Sequence, residues 1–346
     1  MNKQTLCLIF ALPALAAAQT LPLADSFEIP EERPALYAIS RSSTTTAPLT
    51  LTLSPSGGAI VARVPTGAKV GVLLVDQDGR QLLRNAFGLT GWAQTNANGD
   101  DDDFPALAQR PSTAKGEPAP LTLNYLPTLG QPEDGRRYWL SGSRQTDAPR
   151  PGARAYQRLL TSALRPAGPR YHFDCHSGLG AHCLLRLAGT AATAAPRLAG
   201  RDFYLPGDGF VYVISNAAPF PLRQKWTLTE QGFSEVPQPY YYLGLDSVYH
   251  GRRSDRPNGE ALPLALTRNP DGGKTVAELK PGDPLQLLLL DRSQPCPAEA
   301  DRPEGCAEVV LLAKTAKGQF GWLRFNGLAP TAPRLDLASA PAARRP

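Results

Sequence analysis

The phrase Gly-x-x-Gly-Trp occurs twice in this 346-residue chain, as Gly88-Leu-Thr-Gly91-Trp92 and as Gly318-Gln-Phe-Gly321-Trp322. Each copy closes a stretch with the same grammar. In the first, Leu49-Thr-Leu-Thr-Leu53 alternates and Ala59–Val64 follows. Pro65-Thr-Gly67 turns, Lys69–Val75 is an apolar run, and Asp78-Gly79 is a hairpin signal. In the second, Leu264-Ala-Leu-Thr-Arg268 and Thr275–Leu279 lead to the turn Lys280-Pro-Gly282. The run Leu285–Leu290 and the segment Glu308–Thr315 come next. Period-two alternation broken by glycine turns specifies antiparallel strands. One order of signals written twice specifies a duplicated module. The copies span 36–95 and 260–328. The second carries an additional Pro- and acid-rich loop, Arg292–Ala307, with Cys296 and Cys306 near its ends.

The remainder reads as β structure around these copies. Thirty-five Pro and 31 Gly suit short strands and turns better than long helices. Residues 96–136 read as a linker or long loop. Its acidic run Asn96–Asp103 lacks the ligand spacing of a calcium loop and reads as a solvated segment. Residues 137–246 read as a β-rich middle domain. One short amphipathic helix is expected over Ala153–Leu164, where Tyr156, Leu159, Leu160, Ala163 and Leu164 fall at helical spacing. After it the signals are those of an antiparallel meander. Residues 329–346 are rich in Ala, Pro and Arg and read as a disordered tail. The fold class expected is mainly β: two small β modules flanking a mostly antiparallel β middle domain with one short helix.

Met1–Ala18 has the form of a secretory signal peptide: Lys3, an apolar run, and Ala16-Ala17-Ala18 before the expected cut. No later stretch is apolar for long enough to span a membrane. The address expected is therefore periplasmic or secreted, with no membrane span after cleavage. Removing Lys3 lowers the charge from +5 to +4, and no basic run remains, which argues against nucleic acid as a partner. Four cysteines follow the leader. In an oxidising compartment an even count reads as disulfides, and proximity in sequence pairs Cys175 with Cys183 and Cys296 with Cys306.

The turn glycines Gly67 and Gly282, together with Gly91-Trp92 and Gly321-Trp322, give both copies a pattern that resembles bacterial SH3 (SH3b) domains. The resemblance implies two SH3-like barrels in an exported, non-enzymatic protein of the cell envelope. It implies peptidoglycan, a peptide or an envelope protein as partner, and no cofactor.

Three constellations bear on chemistry. Phe173-Asp-Cys175-His-Ser-Gly-Leu179 resembles the nucleophile phrase of NlpC-type cell-wall cysteine peptidases. That resemblance implies an alternative in which a Cys175 thiolate at a helix start is activated by a distant histidine. His176 stands between the Cys and the Ser of that phrase. His172, Cys175, His176, His182 and Cys183 offer soft metal ligands, but in a secreted chain the disulfide hairpin is the preferred reading and no metal is expected. Tyr240, Tyr242 and Trp226 are the candidate ligand-binding aromatics.

Overall fold

The computed structural model describes residues 21–25, 34–95, 107–111, 122–141, 144–146, 155–177, 182–187, 197–199, 202–215, 220–229, 232–252, 263–292, 308–326 and 333–337. The alternating segments become strands wherever a neighbour supplies backbone partners and one face is buried. Among the described residues the only helical turn is a single 3-10 turn at Pro127–Leu129.

The first unit contains β1 (Leu36–Thr44), β2 (Leu49–Ser54), β3 (Gly57–Val64), β4 (Lys69–Asp76), β5 (Gln81–Arg84) and β6 (Thr90–Gln94). They form one sheet in the order β1-β4-β5-β6-β2-β3, with antiparallel pairing throughout. The middle unit opens with β7 (Ala108–Pro111), β8 (Thr122–Tyr125), β9 (Glu133–Ser141) and β10 (Arg144–Thr146). It continues through β11 (Ala155–Ala163), β12 (Arg170–Ser177), β13 (His182–Leu187) and β14 (Arg197–Ala199). It ends with β15 (Asp202–Leu205), β16 (Val211–Ser215), β17 (Leu222–Thr229) and β18 (Gly232–Glu235). Two sheets result, β10-β9-β11-β12-β13-β14 and β18-β17-β16-β15-β8-β7. Leu160, Tyr171, Phe173 and Leu185 of one pack against Leu123, Phe203, Val213 and Phe233 of the other in a common core. The last unit holds β19 (Tyr240–Arg252), β20 (Leu264–Asn269), β21 (Gly272–Leu279), β22 (Pro284–Asp291), β23 (Glu308–Thr315), β24 (Phe320–Asn326) and β25 (Pro333–Leu337). Their order is β21-β20-β24-β23-β22-β19-β25.

Without β25, and from its other end, the last sheet has the connectivity of the first, β19 to β24 standing for β1 to β6. The agreement reaches single rungs. The β2–β3 hairpin shifts register on both sides of Thr52, and the β20–β21 hairpin does so on both sides of Thr267. The Thr52 hydroxyl bonds to the Ser54 and Trp92 carbonyls at 2.9 and 3.0 Å. That of Thr267 bonds to the Asn269 and Trp322 carbonyls at 2.9 and 3.2 Å. Each hairpin turns through a pair of positive-φ glycines, Gly57-Gly58 and Gly272-Gly273. Gly91 and Gly321 are needed for a different reason. A Cβ on Gly91 would lie 2.7 Å from the Leu51 Cβ, and one on Gly321 2.6 Å from the Leu266 Cβ. Only glycine lets the tryptophan-bearing strand cross so close to the hairpin.

The two repeats pack on each other through equivalent residues. Leu73, Leu74, Leu82 and Trp92 meet Leu288, Leu289, Leu312 and Trp322 in one buried cluster. β1 touches β24, and β6 reciprocally touches β19. This is the self-complementary pattern of a two-fold interface, within one chain. The middle unit is attached as closely. Tyr212 of β16 lies in the first repeat's core, with Tyr204 and Phe210 packed beside it. Lys225 of β17 is only 3% exposed and donates to the Val61 carbonyl at 3.3 Å.

The structure corrects the sequence reading at four places. Ala153–Leu164 is not a helix: Ala155–Ala163 is strand β11, paired on both sides with β9 and β12 and irregular in register against β9. Backbone partners on both edges override local helical spacing. The middle unit is mostly antiparallel, as expected, with β8 and β15 its one parallel pair among the described residues. The presumed linker 96–136 contains β7, β8 and the start of β9. The last repeat's first strand begins at Tyr240, inside the span assigned to the middle domain, because β19 pairs with β22. The presumed disordered tail 329–346 includes β25, which pairs with β19. The proposed leader Met1–Ala18, the acidic run Asn96–Asp103, and Cys296 with Cys306 lie outside the described residues.

Candidate functional site

The first residues of the strands that open the two repeats, Leu36 and Tyr240, both border a cleft of about 400 Å³. The cleft leans onto the last repeat. Its walls include the hairpin tip Asn269-Pro270-Asp271, Asp291 at the end of β22, Val310 on β23 and Arg324 on β24. Asp291, Val310 and Arg324 are successive cross-strand neighbours. The wall thus carries a carboxylate, an apolar rung and a guanidinium in a row, with a second carboxylate, Asp271, at the hairpin tip. Tyr240 is 8% exposed, its ring 6.1 Å from that of Trp322. Among the described residues its hydroxyl has no hydrogen-bond partner. Burial, and then the nearby Asp291 carboxylate, push that hydroxyl above the ordinary tyrosine range.

The register-equivalent place in the first repeat holds an ion pair. Asp76 corresponds to Asp291, since each pairs with the first residue of its opening strand. Arg80 corresponds to Val310, and Gln94 to Arg324. The Arg80 guanidinium sits on Asp76, its Nε 2.7 Å from Oδ2, while the backbone N–H groups of Asp78 and Arg80 donate to Oδ1 at 2.9 and 2.8 Å. Arg80 also contacts Asp78. Gln94 donates to the Pro55 carbonyl at the other hairpin tip, at 3.1 Å. In the last repeat a valine takes the place of that arginine.

The three predicted aromatics separate. Tyr240 lines the cleft. Tyr242 is half-buried at the junction of all three units, with the guanidinium carbons of Arg84 and Arg223 at 4.5 and 5.5 Å from its ring centre. Arg223 also donates to the Tyr242 and Leu243 carbonyls, both at 3.2 Å, and its burial lowers its pKa. Trp226 packs against the middle core, where its buried Nε1–H finds no acceptor among the described residues. Neither Tyr242 nor Trp226 borders the cleft.

Cys175 lies within strand β12, not at a helix start. Its backbone is directly paired with that of Cys183, and His176 with His182 on the next rung. Directly opposed antiparallel positions have Cα separations within the range a disulfide spans. These four side chains lie outside the described residues. His172 shares a 3.0 Å hydrogen bond with Thr161. Among the described residues no group of three or more His, Cys, Asp or Glu is placed to hold a metal ion, and no helix is long and apolar enough to cross a membrane.

Two sequence signals for the site were missed. The phrase Leu-Thr-x-x-Pro-x-Gly-Gly occurs as Leu51–Gly58 and as Leu266–Gly273, and marks the two hairpins. Both apolar runs also end in aspartate, Leu-Leu-Val-Asp76 and Leu-Leu-Leu-Asp291. Aligning these phrases exposes the exchange of Arg80 for Val310. Compared with protein-family models, curated proteins and solved structures, the chain matches none.

Proposed function

We propose that this chain is an exported, non-enzymatic binding protein of the cell envelope, built on two SH3b-like modules, with its ligand seat in the cleft between them. The observation that carries the reading is the asymmetry of the seam. One framework carries an Arg80–Asp76 ion pair in the first repeat and borders a polar-walled cleft in the last. A pre-formed concavity with a few placed polar groups is the general form of a binding site. The glycine turns and Gly-Trp pairs support the SH3b-like assignment. The leader-like Met1–Ala18 supports export. Peptidoglycan, a peptide or an envelope protein is the partner class. The strand position of Cys175 gives the peptidase alternative no support.

Co-sedimentation of the purified chain with isolated peptidoglycan sacculi, and with membrane-derived envelope protein, tests the proposal. Retention on one of them, weakened by the double substitution Asp271→Asn and Asp291→Asn, is the expected result. Retention on neither, or retention indifferent to the substitutions, overturns it.

A further inference from the structure

In the middle unit, the turn between β11 and β12 is bonded to the turn that precedes β16. The Gly209 N–H donates to the Leu164 carbonyl at 2.9 Å, and Arg165 Nε donates to the Asp208 carbonyl at 3.2 Å. Gly209 makes that approach possible. Its φ is +93°, and a Cβ there would lie 2.2 Å from Arg165 Nε. These turns and strand β17 border a cavity of about 290 Å³. Leu164, Tyr171 and Leu228 give it apolar walls, and Thr227 also borders it. Among the described residues that line it, Arg165 alone is charged. The adjacent Asp208 carboxylate is engaged elsewhere, accepting from the Phe210 N–H at 2.9 Å and from the Tyr212 hydroxyl at 2.7 Å. Beyond its Nε bond, the exposed Arg165 guanidinium has no partner among the described residues. Tyr171 is 4% exposed, and its hydroxyl has no hydrogen-bond partner among the described residues. Burial raises the pKa of that hydroxyl and the Arg165 charge pulls it back down, so the guanidinium lies within electrostatic reach of it. Leu228 pairs across the sheet with the buried Phe233, yet is itself 46% exposed beside the cavity.

We propose that this cavity binds a small monocarboxylate with a short apolar tail, its carboxylate on the Arg165 guanidinium and the Tyr171 hydroxyl and its tail against Leu164 and Leu228. The site shares no residue with the seam cleft, and the proposal goes beyond the envelope-binding reading. A carboxylate accepts charge-assisted bonds from a guanidinium that a neutral amide cannot match. Apolar walls beside a single cation call for a ligand with one anionic end and one apolar end. The volume is at the low end for a small-molecule site and limits the tail to a short one.

The test is a titration of the full-length protein with hexanoate, followed by NMR shifts, with hexanamide, hexylammonium and acetate as comparisons. Saturable hexanoate binding, at least tenfold tighter than that of each comparison, is expected, with the largest shifts at Tyr171, Gly209 and Leu228. Arg165→Gln, which changes an exposed side chain, should weaken it about tenfold. Should that variant fail to fold, Tyr171→Phe, which keeps the ring in the core, decides by weakening binding severalfold. The double substitution Asp271→Asn and Asp291→Asn in the seam cleft should leave hexanoate binding unchanged. No saturable binding, equal binding of hexanamide or acetate, or shifts centred on other residues overturns the proposal. So does an affinity unchanged in Arg165→Gln and Tyr171→Phe, or one lost with the seam substitutions.

Discussion

Single atoms decide several positions here. Gly91 and Gly321 lie where an added methyl meets the Leu51 and Leu266 Cβ atoms at 2.7 and 2.6 Å. Gly91→Ala and Gly321→Ala should each destabilise by about 1–3 kcal/mol, the usual cost of overpacking, measured by urea denaturation. Substitution at the exposed Gly67, where a Cβ meets nothing within 4 Å, is strained only through its positive φ. Tyr204 gives a pH prediction. Burial, and then Asp202, push its hydroxyl up from 10 to about 12. The neutral hydroxyl's contribution is therefore fully present below about pH 10 and lost as pH rises towards 12, because the unfolded chain gives up that proton first. Tyr240 and Tyr241 are shifted in the same direction. Stability followed by circular dichroism should fall above pH 10, and Tyr204→Phe should make that fall shallower. An equal slope in the variant would refute the assignment.

At the scale of elements, pairing settles what local pattern leaves open. β11 shows this most clearly. Tyr156, Leu159, Leu160 and Ala163 are spaced as on a helix, yet two neighbouring strands claim the segment's backbone groups. The glycine turns, the alternating runs and the Gly-Trp pairs were legible because their information is local. The parallel partnership of β8 with β15 was not, since it joins segments almost eighty residues apart and leaves no mark in either. The β12–β13 hairpin places Cys175 directly opposite Cys183, and we predict a bridge there. Mass spectrometry after alkylation, with and without reduction, should find both thiols blocked. Replacing both by serine should cost about 2–3 kcal/mol, as expected for a short closed loop. Alkylation of either thiol before reduction would refute the bridge.

On the scale of the whole molecule, the repeats and the middle unit share cores. Leu74 and Leu289 meet in the seam, and Tyr212 of the middle sheet is buried in the first repeat. A single calorimetric transition is expected. Leu74→Asp and Leu289→Asp each place a charge among apolar side chains and should cost several kcal/mol. Separate transitions for the repeats in the unmodified chain would show them to be independent. The sequence by itself determined that the chain is β-rich, where most turns fall, and that one module is written twice, since alternation and glycine act over a few residues. Tertiary structure alone decided that the two modules face each other about a pseudo-two-fold axis and that β19 and β25 belong to the last sheet. It also decided that Tyr240 borders a cleft while Tyr242 and Trp226 do not. Those outcomes depend on which distant surfaces exclude water together, a property of the folded arrangement that no short stretch of residues carries.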